Sequence, residues 1–195
     1  MKLSSTVLDY EPLVIVGGEI VNESKMEPLA EMVFISEVVK QAKIAKRASE
    51  RLTATRDGFD EVEVWCSIQS ILVAAGNISK MLWPVRKGSI ARGERLRMLL
   101  SVDDQNLLSD RKLRNHFEHY DERIEDWFEK SNSAVYRDSY VDPFKPIWGG
   151  DASNIHRLYN PLTEVLTFRG ESMDLAAILR ELDDIMNKCR NFVLV

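Results

Sequence analysis

With 195 residues, 45% of them apolar and 29% charged, and no Pro/Gly/Ser-rich linker, the chain is expected to bury one core as a single domain over residues 1–195. A formal charge of −5 excludes a general attraction to nucleic acid or anionic membrane, so a polyanion has to be met by a local basic patch. Cys66 and Cys189 lie far apart in helical contexts without metal-ligand spacing; buried, reduced thiols are expected rather than a disulfide. No signal-type apolar segment or bilayer-length apolar run is evident, which points to a cytoplasmic protein without a membrane partner.

In chain order, residues 1–23 form an N-terminal arm. Its apolar residues Leu13, Val14, Ile15 and Val16, then Gly17-Gly18, then Ile20 and Val21, predict a short β-hairpin. Ser24 with Glu27 makes a capping-box pattern, and Pro28 suits a first turn, so a helix is expected from there to about Ala54. Leu29, Met32, Val33, Ile35, Val39 and Ala42 are read as its core stripe. A second helix from about Asp60 to Leu82 carries Val64, Trp65, Ile68, Ile71, Leu72, Ala75, Ile78 and Leu82 at three- and four-residue steps, and Pro84 stops it.

Residues 86 to 97 hold Arg86, Lys87, Arg92, Arg95 and Arg97 against a single acid, Glu94. They lead into a short helix near residues 91 to 102, whose Leu96, Leu99 and Leu100 can reach a core. A further long helix is expected over residues 109 to 130. Residues 133–170 read as a loop and a second β-hairpin, with strands near residues 155 to 159 and 163 to 168 around Asn160-Pro161 and an end at Gly170. The last helix is marked by Leu175, Ile178, Leu179, Leu182, Ile185, Met186 and Cys189. The expected fold is mainly α: a helical bundle of four long helices and one short helix, with small β-hairpin decorations near the N-terminus and before the last helix.

The helix over residues 109 to 130 concentrates the chemistry. Two of the three histidines lie in it, and Arg-x-x-x-x-His occurs twice, as Arg111 with His116 and Arg114 with His119. At about 100° per residue, Leu113, Phe117, Tyr120, Ile124, Trp127 and Phe128 share the expected core face. Arg111, Arg114, Asn115, Glu118, His119 and Glu122 fall on the opposite arc, with His116 at the border. A plain solvated face laced with pairs such as Arg114 with Glu118 accounts for the individual charges. It accounts less well for two histidines in one turn, because histidine is a mediocre helix former.

An arginine fork holds a phosphate bidentately, and a histidine takes or gives a proton near neutral pH. Together they suit transesterification of an RNA phosphodiester, with a base for the 2′-hydroxyl, an acid for the leaving 5′-oxygen and arginine for the charge of the transition state. One histidine does not serve as both acid and base in one step. His116 beside His119, or His119 from two subunits of a homodimer pairing this helix with its copy, would complete the set.

The run Arg114-Asn115-His116-Phe117-Glu118-His119, within a helical bundle that has a late amphipathic helix, resembles the HEPN superfamily. Its signature is arginine, usually followed by a polar residue, with histidine four to six positions on. That resemblance implies Arg114 as the phosphate-binding arginine, Asn115 as an orienting residue, His119 as the catalytic histidine and His116 as support. It implies a metal-independent endoribonuclease without a cofactor, acting as a dimer, with a cognate antitoxin as one possible partner in a toxin or defence system. Inert relatives serve as modules binding protein or nucleotide, and that is the alternative reading. A toxin branch places tyrosine two residues after the histidine, whereas here Tyr120 follows His119 directly and Asp121 stands at that place.

Arg86, Lys87, Arg92, Arg95, Arg97 and Arg111 are the candidate RNA-binding rim, with a solvated loop as the plain alternative. His156 beside Arg157, isolated on the expected hairpin, is read as a surface or pairing residue. Trp65, Trp83, Trp127 and Trp148 are read as core and lid. Glu181, Asp183 and Asp184 lack the spacing of a metal site.

Overall fold

The structure, a computed structural model, describes residues 15–16, 19–20, 26–56, 58, 60–110, 115, 118–133, 135–142 and 154–193. It is mainly helical with a small four-stranded sheet. The N-terminal arm contributes an antiparallel pair, β1 (Ile15–Val16) and β2 (Glu19–Ile20), as its β-branched runs predict. The Gly17-Gly18 turn and Ser24 lie outside the described residues.

α1 (Pro28–Ala54) starts with proline at its first position, where a missing N–H costs nothing, and Glu27 is its N-cap without a side-chain bond. Its core face is Ile35, Val38, Val39, Ala42, Ala45, Ala48 and Leu52. The expected stripe is therefore corrected at its N-terminal end: Leu29, Met32 and Val33 point to solvent. α2 (Glu61–Leu82) is capped by Asp60, whose carboxylate accepts from the Glu63 N–H at 3.1 Å. All eight apolar positions expected to be its core are buried. Alanines on α1 and Ala74, Ala75 and Gly76 on α2 are small enough to let the two helices approach closely. Each fully buried isoleucine or leucine in this layer contributes about 1.5–3 kcal/mol. α2 is long and apolar enough to cross a bilayer by length and composition, but 61% of its most apolar stretch is buried inside the fold.

α3 (Ile90–Leu100) follows a 3-10 turn at Lys87–Ser89 and buries Gly93, Leu96 and Leu100. A Cβ on Gly93 would lie 2.7 Å from the Leu82 carbonyl and 2.4 Å from Pro84 Cδ, so glycine lets α3 cross the end of α2. The last helix, α5 (Leu175–Lys188), closes the core with Leu175, Ile178, Leu182, Ile185 and Met186. Cys189 is buried with them, but Cys66 is exposed, which corrects the expectation of two buried thiols.

The helix expected over residues 109 to 130 is not continuous. α4 (Tyr120–Lys130) begins after His119, whose φ of −115° and ψ of 41° are non-helical, although Asn115 and Glu118 before it are helical. Of its predicted core face, Trp127 is buried, Tyr120 and Ile124 are half-buried, Phe128 is exposed, and Leu113 and Phe117 lie outside the described residues. Trp127 lies outside the main core and meets Tyr136 instead.

The expected hairpin before the last helix is part of a larger sheet of order β3-β4-β5-β6, formed by Tyr140–Val141, Arg157–Asn160, Val165–Phe168 and Glu171–Asp174. β3 runs parallel to β4, and the other pairs are antiparallel. Gly170 does not end the sheet. With Arg169 it forms a two-residue turn, both at positive φ (47° and 85°), that turns β5 into β6. The buried face of the sheet carries Tyr159 and Leu166 into the helical core, and Arg157 and Phe168 toward α4.

Candidate functional site

His119 is the described centre of the predicted site. Its N–H donates to the Asn115 carbonyl at 3.2 Å, and its carbonyl accepts from the Arg123 N–H at 3.1 Å. As the N-cap of α4 it stands where the chain turns, and its side chain is 49% exposed. Nδ1 lies 3.1 Å from Glu122 Oε1. A carboxylate at Nδ1 favours the tautomer with the proton on that nitrogen, leaving Nε2 as a proton acceptor. Asn115 is half-buried. Arg111, Arg114 and His116 lie outside the described residues.

Glu118 forms an ion pair with Lys80 near the end of α2. The Lys80 carbonyl also accepts from Arg92 Nη2 at 3.2 Å. One residue of α2 thus ties the segment before His119 to the basic helix α3. The cations of the candidate rim are used unequally. The Arg92 guanidinium stands 4.6 Å over the Phe34 ring, and Arg95 Nε reaches Glu31 Oε1 at 2.7 Å. Arg97 Nε donates to Asp104 at 2.5 Å, and its Nη1 donates to the Leu82 carbonyl. Arg86 and Lys87 are exposed.

Tyr120, next to His119, turns the other way, into a polar cluster that links α4, α2 and the sheet. Its hydroxyl donates to Asp138 Oδ2 at 2.6 Å. Arg157, on β4, grips the same carboxylate with both arms of its fork, Nε to Oδ1 at 2.8 Å and Nη2 to Oδ2 at 2.5 Å. Nη2 also reaches Ser139 Oγ at 2.8 Å, and Trp65 Nε1 donates to the Ser139 carbonyl at 2.5 Å. The guanidinium carbon lies 4.4 Å from the Tyr120 ring centroid and 5.1 Å from that of Trp65, within cation–π range.

Burial alone would raise the Asp138 carboxyl, but hydrogen bonds from Arg157 and Tyr120 and the charge of Arg157 outweigh it and hold the group at about 2. Burial pushes Tyr120 upward, as does its bond to Asp138, so the phenol stays protonated and donating. Burial opposes the charge on Arg157, and Asp138 more than compensates.

His156 is fully buried, which overturns its reading as a surface residue. Its ring meets Tyr120 at 5.3 Å, Tyr136 at 5.7 Å and Phe168 at 4.8 Å between centroids. Sequence reasoning missed this cluster. The dipeptide His156-Arg157 was visible, but nothing local marks Asp138 or Tyr120 as its partners. Trp65 is part of the core, as expected, Trp127 is buried outside it, Trp83 is half-buried, and Trp148 lies outside the described residues. Among the described residues there is no group of three or more His, Cys, Asp or Glu side chains placed to hold a metal ion.

Compared with family models, curated proteins and solved structures, the chain matches none.

Proposed function

We propose that the chain is a HEPN-like, metal-independent endoribonuclease that cleaves RNA by 2′-hydroxyl transesterification. The observation that carries this reading is His119: exposed, at a turn, with Glu122 at Nδ1. In the proposed reaction Nε2 of His119 takes the proton of the 2′-hydroxyl, and the 2′-oxygen attacks phosphorus. The P–O5′ bond then breaks, and the 5′-oxygen leaves with a proton from a second histidine. His116, or His119 of a second copy in a homodimer, is that donor. Arg114 holds the phosphate through the transition state, and Asn115 orients it. Arg86 and Lys87, with the guanidiniums of α3, form the approach for the RNA backbone.

RNA incubated in chelator with wild type, Arg114→Ala, His119→Ala and Glu122→Gln tests the proposal. Cleavage is expected to fall about 10²–10⁴-fold in His119→Ala. It is expected to fall as far in Arg114→Ala and about tenfold in Glu122→Gln. Equal cleavage by all four proteins would sink the assignment.

A second reading, an inert module that binds protein or nucleotide, is favoured by two observations. Arg92, Arg95 and Arg97 are committed to partners within the fold. Acids surround His119, with Glu118, Asp121 and Glu122 all exposed. RNA binding without cleavage by any of the four proteins would select it.

A further inference from the structure

The outer face of α1 carries a stripe that the core does not use. Leu29, Met32 and Val33 are 72%, 53% and 59% exposed in its first two turns. Ser36, Lys40, Lys43 and Arg47 continue the same line, so that positions 29, 32, 36, 40, 43 and 47 recur at three- and four-residue steps. That is the spacing at which one helix meets another. Beside the basic half lies a groove of about 370 Å³, lined by the aliphatic Val39, Ile44 and Val193 together with Ser36, Lys40, Lys43 and Arg47. Lys40 has only a 4.0 Å contact with Glu37, and Lys43 and Arg47 make no ion pair with the described residues. In a protein of net charge −5 this is a local positive surface, and unlike Arg92, Arg95 and Arg97 its cations have no short ion pair with the described residues.

We propose that this stripe docks an acidic amphipathic helix of a partner protein. The partner's apolar side chains cover Leu29, Met32 and Val33 and enter the groove. Its carboxylates, spaced by three and four residues, meet Lys40, Lys43 and Arg47, which span about 10 Å of helix axis. The surface fits this occupant better than two others. Single-stranded nucleic acid stacks its bases on aromatic rings, and none of the residues lining this groove is aromatic. A membrane-surface helix carries its apolar face along its whole length with cations beside it, whereas here the apolar and basic halves follow one another along the axis. Lengthwise segregation is a register device, since it lets a partner helix seat in one direction only.

The test uses the full chain and a fluorescent synthetic amphipathic helix of about 20 residues, long enough to hold helical structure, with leucines in one half of its face and glutamates in the other. Anisotropy is expected to report binding that weakens at least about tenfold in the Lys40→Glu/Lys43→Glu/Arg47→Glu protein and in Met32→Glu. A peptide with lysines replacing the glutamates is expected to bind the triple variant and not the wild type. Oligouridine and phosphatidylserine vesicles run in parallel. No binding of the acidic peptide, equal binding by wild type and triple variant, or capture by oligouridine or vesicles that exceeds that of the peptide and is lost in the triple variant would overturn the proposal.

Discussion

Between α1, α2 and α5 the buried side chains are almost all aliphatic, with Ala42, Ala45, Ile71, Ile78 and Leu182 typical. Between α4 and the sheet the enclosed set is Tyr120, Trp127, Tyr136, Asp138, His156, Arg157 and Phe168. The first region is held by a force without direction, proportional to the apolar area removed from water. The second is held by directed bonds: Arg157, Asp138 and Tyr120 satisfy one another only at one distance and angle. Aliphatic packing brings the helices together, and the polar cluster sets where α4 starts. His119 sits at that start, so the position of the candidate histidine depends on the second region more than on the first.

The largest effect expected from breaking this arrangement is that of Arg157→Ala. It leaves the Asp138 carboxylate enclosed without its cation and strips the contact with Tyr120 and Trp65, a loss of about 3–5 kcal/mol in denaturant unfolding. The double variant Asp138→Leu/Arg157→Met removes both charges at similar volume and is expected to recover most of that stability. If the cluster places α4 as described, the recovered protein shows weaker near-ultraviolet signals from Tyr120 and Trp127 than wild type, because nothing directional holds Tyr120. A double variant as unstable as Arg157→Ala would show that packing, not the unpaired charge, dominates the site.

A smaller effect separates the two regions by pH. Asp138 is held at about 2, below its ordinary value of 3.8, so the unfolded chain binds a proton more readily than the folded one in that range. The stabilisation, about 2 kcal/mol, is complete above about pH 4 and is lost as pH falls through 2. Near-ultraviolet signals of Trp127 and Tyr120 should decay over that range in wild type. In Asp138→Asn the Asp138-linked part of that decay should vanish, and an unchanged pH dependence would remove Asp138 from the account.

The sequence made the first region far more legible than the second. α2 is buried at every position its period marks, because one face of a regular helix meets a continuous core and local spacing suffices. The spacing of α1 misleads at Leu29, Met32 and Val33, since apolar spacing shows that a face is apolar and not whether this chain covers it. The break at His119 has no local signature. It belongs to the way Tyr120 is drawn to Asp138, eighteen residues on, and Arg157 joins that pair from a strand whose register depends on β5. Side-chain pairs set by tertiary contact leave no period to read. The candidate residue His119 was legible as a motif, while the scaffold that places it was not.

The smallest perturbation, one that changes no stability, checks the boundary of the aliphatic region. Cys66, Val73 and Lys80 recur every seven residues on the outer line of α2, and all three are exposed. Cys189 is fully buried, and burial pushes its thiol up to about 11. A thiolate in contact with solvent is the reactive form, and Cys189 meets neither condition, whereas Cys66 is open to a reagent. An aromatic disulfide reagent should titrate one thiol rapidly in the native protein. The second should react at least about a hundredfold more slowly, at a rate set by opening of the core, and should catch up in denaturant. Cys66→Ser should abolish the fast phase alone. Two fast thiols would mean that the end of α5 does not seal the core, and the contrast between a closed aliphatic layer and a directionally bonded one would have to be redrawn at that end.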